Sequence, residues 1–145
     1  MNIFKSLGKM ERIFNYNINE YDERNAVKIG RISIKNKDVN RILLTRISEY
    51  FSIDPVMIIT RSRNAEYINF KHVYRFMCCQ FTSYSLVAIG IKSGNFDHAT
   101  ILNSVKQVNN LCETDKVYKQ DIDSIFNLIE NDIKDIINQK QTSIC

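Results

Sequence analysis

One proline and four glycines are all the strong backbone punctuation in these 145 residues. Long stretches therefore run without a helix breaker, and apolar residues recur in them every three or four positions, which favours long helices over many short strands. Val39, Ile42, Leu43, Ile47, Tyr50 and Phe51 set the first such stripe, with Asp38 the expected N-cap. Asp54 is expected to cap a short second helix ending near "TRSRN", with Pro55 in the first position, where its missing N–H costs nothing. Tyr67, Phe70, Val73, Tyr74, Met77 and Phe81 predict a helix from Asn64 to about Phe81. A short helix follows, capped by Ser83 or Ser85 and ending near Ile91–Lys92. The spacing then predicts helices from about Asp97 to Leu111 and from about Val117 to Asn138.

The first 36 residues read differently. Ile3, Phe4, Leu7, Met10, Ile13 and Phe14 fall on one face at helical spacing, as in a helix that packs on its own domain, on a second copy or on a membrane surface. The polar stretch beyond alternates at Val27/Ile29 and Ile32/Ile34, so a small hairpin about Gly30–Arg31 is expected.

Charge is uneven. Residues 1–112 hold sixteen Lys/Arg against nine Asp/Glu, or +7, whereas residues 113–145 hold four against seven, or −3. A basic body beside an acidic last helix suits an anionic partner on one side. The cysteines, Cys78, Cys79, Cys112 and Cys145, form no C-x-x-C pair and have only His72 and His98 beside them, which argues against zinc and for reduced thiols in the cytoplasm. No secretory signal and no apolar run long enough for a membrane span is recognised. "GKM" at Gly8–Met10 lacks the first glycine and the Ser/Thr of a phosphate-binding loop, and no catalytic triad, carboxylate pair or metal cluster stands out. Neither an enzyme nor a cofactor is expected.

The informative stretch is "SGNFDHATILNSVKQV", Ser93–Val108. A short helix, a turn containing Gly94 and a longer second helix make a helix-turn-helix pattern, whose second helix enters the major groove of DNA N-terminus first. Ile101, Val105, Val108 and Cys112 would form its buried seam, and Thr100, Asn103, Lys106, Gln107 and Asn110 its polar face. Asp97 suits a helix cap and can also accept from cytosine N4, His98 can donate to a purine, and the Thr100 methyl can meet a thymine methyl. Arg61 and Arg63 in the loop can enter a minor groove or hold phosphates, and Lys71, His72 and Arg75 on the next helix can contact the phosphate backbone.

"ISEYFSIDPVMIITRSRN", "SLVAIG" and above all "GNFDHATILNSVKQV" resemble the C-terminal DNA-binding domain of the bacterial replication initiator DnaA. The match at Gly94, Asp97, His98, Ala99, Thr100, Ile101 and Leu102 carries the likeness, which covers roughly residues 38–130. The resemblance implies a domain that reads a short duplex box, with Arg63 in the minor groove and the Asp97–Thr100 turn in the major groove. It places Lys71 and His72 on the family's phosphate-contacting pair. Phe96 stands where that family has a basic residue, Asn95 where it has glycine and Asn103 where histidine is common.

The expected fold is thus all-α: a helix-turn-helix domain of about five to six helices at 37–138, a short N-terminal arm at 1–36 for self-association or a protein partner, and a tail at 139–145. The expected function is sequence-preferring binding of double-stranded DNA in the regulation of replication initiation or transcription. The expected DNA contacts are Arg61, Arg63, Lys71, His72, Ser85, Asp97, His98, Ala99, Thr100, Asn103 and Lys106. The alternative is a protein-interaction module that keeps the fold and has lost specific DNA reading.

Overall fold

The helical stripes seen in the sequence close on a single central helix. The computed structural model describes residues 10–13, 26–29 and 32–144, with side chains from 32 to 140. Three short strands come first: β1 (Met10–Ile13), β2 (Ala26–Ile29) and β3 (Ile32–Lys35). Five α-helices follow: α1 (Asn36–Phe51), α2 (Ala65–Phe81), α3 (Leu86–Lys92), α4 (His98–Thr114) and α5 (Lys116–Ile144), with a 3-10 turn at Pro55–Ile59. From Asn36 onward the domain is all-α, as expected.

α2 is the hub. It packs against α1 and α4, while α5 covers α1 and α4, and α3 lies against α4. From Phe70 to Cys78 every residue of α2 except His72 is buried. A helix covered on several sides buries its whole circumference rather than one stripe. Val39, Leu43 and Ile47 of α1 enter the same core as Ile101 and Val108 of α4 and Ile122, Ile125, Phe126 and Ile129 of α5. Each side chain of this size contributes about 1.5–3 kcal/mol when fully buried. Phe81 and Phe126 meet with ring centroids 4.6 Å apart. Polar ties fix the remaining angles. Arg46 holds Asp132 bidentately (2.6 and 2.8 Å) between α1 and α5, and buried Asn36 binds Ser83 through both its amide nitrogen and its oxygen.

The hairpin about Gly30–Arg31 is borne out by its flanks, since β2 and β3 pair antiparallel with Ile29 opposite Ile32. β3 alternates, turning Ile32 and Ile34 into the core. The N-terminal helix is corrected in its last turn: Met10–Ile13 is a strand that pairs with β2 in the order β1-β2-β3. The open edge of β2 supplies backbone partners that outweigh local helical spacing. The rest of that expected helix, with Ile3, Phe4, Leu7 and Phe14, lies outside the described residues.

Asp38 is not the N-cap either. α1 begins at Asn36 with Lys35 in the cap position and no side-chain cap bond. β3 runs straight into the helix, and Asp38 sits in the first turn, where a carboxylate favours the helix dipole and reaches Arg41 at 3.4 Å. The last two helices run beyond their expected ends, α4 to Thr114 and α5 to Ile144. No described helix is long and apolar enough to cross a membrane.

Candidate nucleic-acid interface

Each helix entering the candidate site is started by the side chain the sequence places there. Asp54 accepts from Val56 N at 2.9 Å, Asn64 from Glu66 N at 2.9 Å and Ser85 from Ala88 N at 3.1 Å. Asp97 accepts from both Thr100 N (2.9 Å) and Thr100 Oγ1 (2.8 Å). Those two bonds stabilise the ionised form, holding the Asp97 carboxyl below its ordinary range.

Between α3 and α4 the chain turns in five residues. Ser93 N and Oγ both donate to Ile89 O (3.0 and 2.8 Å), and Phe96 N donates to Gly90 O at 3.1 Å. Gly94 takes φ +111° and Asn95 φ +62°, a left-handed conformation that glycine and asparagine tolerate. The family glycine replaced by Asn95 is thus met by the next most tolerant residue.

The turn presents Asp97, His98 and Ala99 to solvent, with Thr100 half-buried beside them and Asn103 and Lys106 exposed one and two turns on. Ile101 and Val108 face the core, joined by buried Ser104, while Val105 and Cys112 are only partly covered. Val87, Ile91, Asn95, Phe96, Asp97 and His98 line an open cleft of about 400 Å³ between α3 and the start of α4. Exposed Ser85 stands at the head of α3.

The loop after the 3-10 turn carries Arg61 and Arg63. Arg63 is exposed and makes no hydrogen bond or ion pair among the described residues. Arg61 donates to Gly94 O and Asn95 O (both 3.2 Å), tying the basic loop to the helix-turn-helix turn. Arg61, Ser62, Arg63, Ile68, Lys71, Arg75 and Phe96 line a pocket of about 440 Å³.

Lys71, His72 and Arg75 are not the free surface groups that the sequence suggests. Lys71 is 6% exposed and Arg75 3% exposed, because α2 is covered by α1 on one side and α4 on the other. Lys71 Nζ donates to Thr60 O. Burial, with Arg75 and Arg61 nearby, lowers its pKa. Arg75 donates through Nε to Ser93 Oγ (3.0 Å), through Nη1 to Ser104 Oγ (2.9 Å) and through Nη2 to Ser93 O (3.3 Å), and burial pushes its pKa down to about 10. Ser104 Oγ therefore accepts from Arg75 and can give its own proton to His72 Nδ1, 2.8 Å away. Arg75, Ser93 and Ser104 carry the connection between α2 and the turn. Ser93 and Ser104 are absent from the expected contacts because the small serines give no signal in the sequence until their buried partner is known.

Burial and the neighbouring Arg75 charge lower the pKa of His72. A folded-state pKa below the unfolded value of about 6.5 contributes stability that is complete above pH about 6.5 and is lost as pH falls through the folded value. The urea midpoint is expected to drop between pH 7.5 and 5.5, and His72→Gln to shrink that drop. An unchanged pH dependence in the variant contradicts this.

A buried hub, a short helix, a five-residue turn and a helix capped at an exposed first turn define a helix-turn-helix domain. Residues 41–108 match the family model described as "Bacterial dnaA protein helix-turn-helix". The chain is 34% identical over 79 residues to the chromosomal replication initiator protein DnaA of Flavobacterium psychrophilum, covering 54% of this chain and 16% of that protein. It is 30% identical over 108 residues to the protein of the same name from Bacteroides fragilis, covering 74% and 22%. The chain thus spans about a fifth of the length of these relatives.

Proposed function

We propose that this chain binds double-stranded DNA with a sequence preference, through the first turn of α4 and the basic loop before α2. The observation that carries this reading is the exposed Asp97–His98–Ala99 turn on a rigid, twice-bonded cap, in the same domain as an exposed Arg63 with no fold partner among the described residues. In this reading Asp97, His98, Ala99 and Thr100 touch base edges in the major groove, Asn103 and Lys106 extend the contact along α4, and Ser85 meets the backbone at the head of α3. Arg63 enters the adjacent minor groove. Arg61 and Lys71 supply positive charge to the phosphates from behind the turn, and His72 adjoins them on α2, tied through Ser104 to Arg75.

Sites of this kind, occupied by the domain, would regulate replication initiation, in keeping with relatives named as chromosomal replication initiators, or transcription. The activity resides in binding, and no catalytic step is assigned. Residues 1–36 are an arm for self-association or a protein partner, joined to the helical domain by Ile32 and Ile34; residues 139–144, expected as a tail, instead continue α5.

Binding through phosphates falls steeply with salt, with a slope of about 0.9 per phosphate neutralised. Anisotropy on a duplex across a salt series is expected to give such a slope, and Lys106→Ala to reduce it by about one. No binding to duplex at low salt contradicts the reading and favours the protein-interaction alternative.

A further inference from the structure

Phe96 departs from the basic residue that the resemblance calls for, and its surroundings give the departure a purpose. Arg61 Cζ lies 4.6 Å from the ring centroid, Arg75 Cζ 4.8 Å and Lys71 Nζ 5.2 Å, all within the range of cation–π attraction. The three cations come from separate places, Arg61 from the loop and Lys71 and Arg75 from successive turns of α2. Gly94 leaves room for the ring: a Cβ there would lie 3.1 Å from Phe96 Cε2 and 3.4 Å from Lys71 Nζ.

The cluster has no paired counter-charge among the described residues. None of Arg61, Arg63, Lys71 or Arg75 pairs with a carboxylate among the described residues; Asp38, Glu49, Asp132 and Glu130 pair instead with Arg41, Arg46 and Lys134. Like charges gathered this closely repel one another, and backbone carbonyls and serine hydroxyls satisfy hydrogen bonds without neutralising charge. The four cations and Ser62 line one open pocket of about 440 Å³. A tetrahedral phosphate oxyanion brings the negative charge that those neutral acceptors do not.

We propose that Phe96 is a positioning residue that assembles a phosphate-binding pocket from Arg61, Lys71 and Arg75, replacing one basic side chain at position 96 with three drawn from elsewhere. Where the phosphate is a DNA backbone group, this rests on the function proposed above. The same chemistry would take a free phosphate, and the test separates the two sources.

The test compares wild type with Phe96→Leu, which keeps apolar bulk and loses the π face, and Phe96→Tyr, which restores the ring. Arg75→Met serves as a second probe, removing one cation and keeping the length of the side chain. Duplex affinity and its salt slope are read by anisotropy, and affinity for inorganic phosphate by calorimetry, with thermal melts verifying the fold of each variant. Phe96→Leu and Arg75→Met are expected to lose about tenfold in duplex affinity with a shallower salt slope, and Phe96→Tyr to recover most of it. A loss of packing alone would leave the slope unchanged. Phe96→Leu and Arg75→Met that are folded and bind with wild-type affinity and slope overturn the proposal while leaving DNA binding in place. Should wild type bind no duplex, the DNA reading fails by itself. The pocket then stands only if wild type binds inorganic phosphate and Phe96→Leu does not, and is overturned if wild type binds neither.

Discussion

Gly90→Ala is expected to cost about 3 kcal/mol of folding stability, the upper end of what overpacking typically costs. A Cβ built on Gly90 lies 2.0 Å from Phe96 O and 3.1 Å from Phe96 C. The obstacle is backbone, so no rotamer change relieves it. The same two residues are joined by the Phe96 N–H to Gly90 O bond at 3.1 Å. An added methyl must therefore push the turn away from α3 and break the bond that closes it. Ile101 would move with the turn, and Ile101 is fully buried. Urea unfolding measures the cost directly, and a midpoint equal to wild type would mean that the close approach at Gly90 is not real. The displaced turn also carries Asp97 and His98, so duplex affinity is expected to fall together with stability.

The second large effect falls on recognition and leaves the fold alone. Arg63→Ala and His98→Ala are each expected to remove about 1–3 kcal/mol of discrimination between a matching and a scrambled duplex. Arg63 is exposed and has no partner among the described residues, and His98 is exposed at the start of α4. Surface substitutions of this kind usually change stability by within about 0.5 kcal/mol. A loss of preference with an unchanged melting temperature therefore reports contact with DNA. Asp97 cannot be tested so cleanly, because its carboxylate also caps α4 through Thr100, a role whose removal costs about 0.5–2 kcal/mol.

The sequence was most legible where local chemistry decides. Asp54 and Asp97 cap the elements they were expected to cap, and Ser85 proves to be the cap of the pair Ser83 or Ser85, since a side-chain oxygen two or three residues from an orphan N–H needs no tertiary help. The stripes through Val39, Leu43 and Ile47 and through Ile122, Ile125 and Ile129 reach the core for the same reason of periodicity. What escaped depends on distant partners. β1 exists by pairing with β2, a contact that helical spacing at Met10 and Ile13 does not announce. Lys71 and Arg75 read as surface charges because nothing local reveals that α2 is enclosed on both sides. Phe96 read as a lost basic residue, and only the folded chain shows Arg61, Lys71 and Arg75 around its ring. At the candidate site, the exposed first turn of α4 was visible in "DHAT", while the buried Arg75–Ser93–Ser104 support behind it was not.

The most direct test of the central claim, that the first turn of α4 and Arg63 read duplex DNA, is fluorescence anisotropy of the purified chain on a duplex carrying a DnaA-type box against a scrambled duplex of the same composition. Arg63→Ala and His98→Ala would be measured alongside. The account predicts a preference of about tenfold or more for the box, on the order of 1.4 kcal/mol, that both substitutions erase. Equal affinity for the two duplexes, unchanged in both variants, would contradict it.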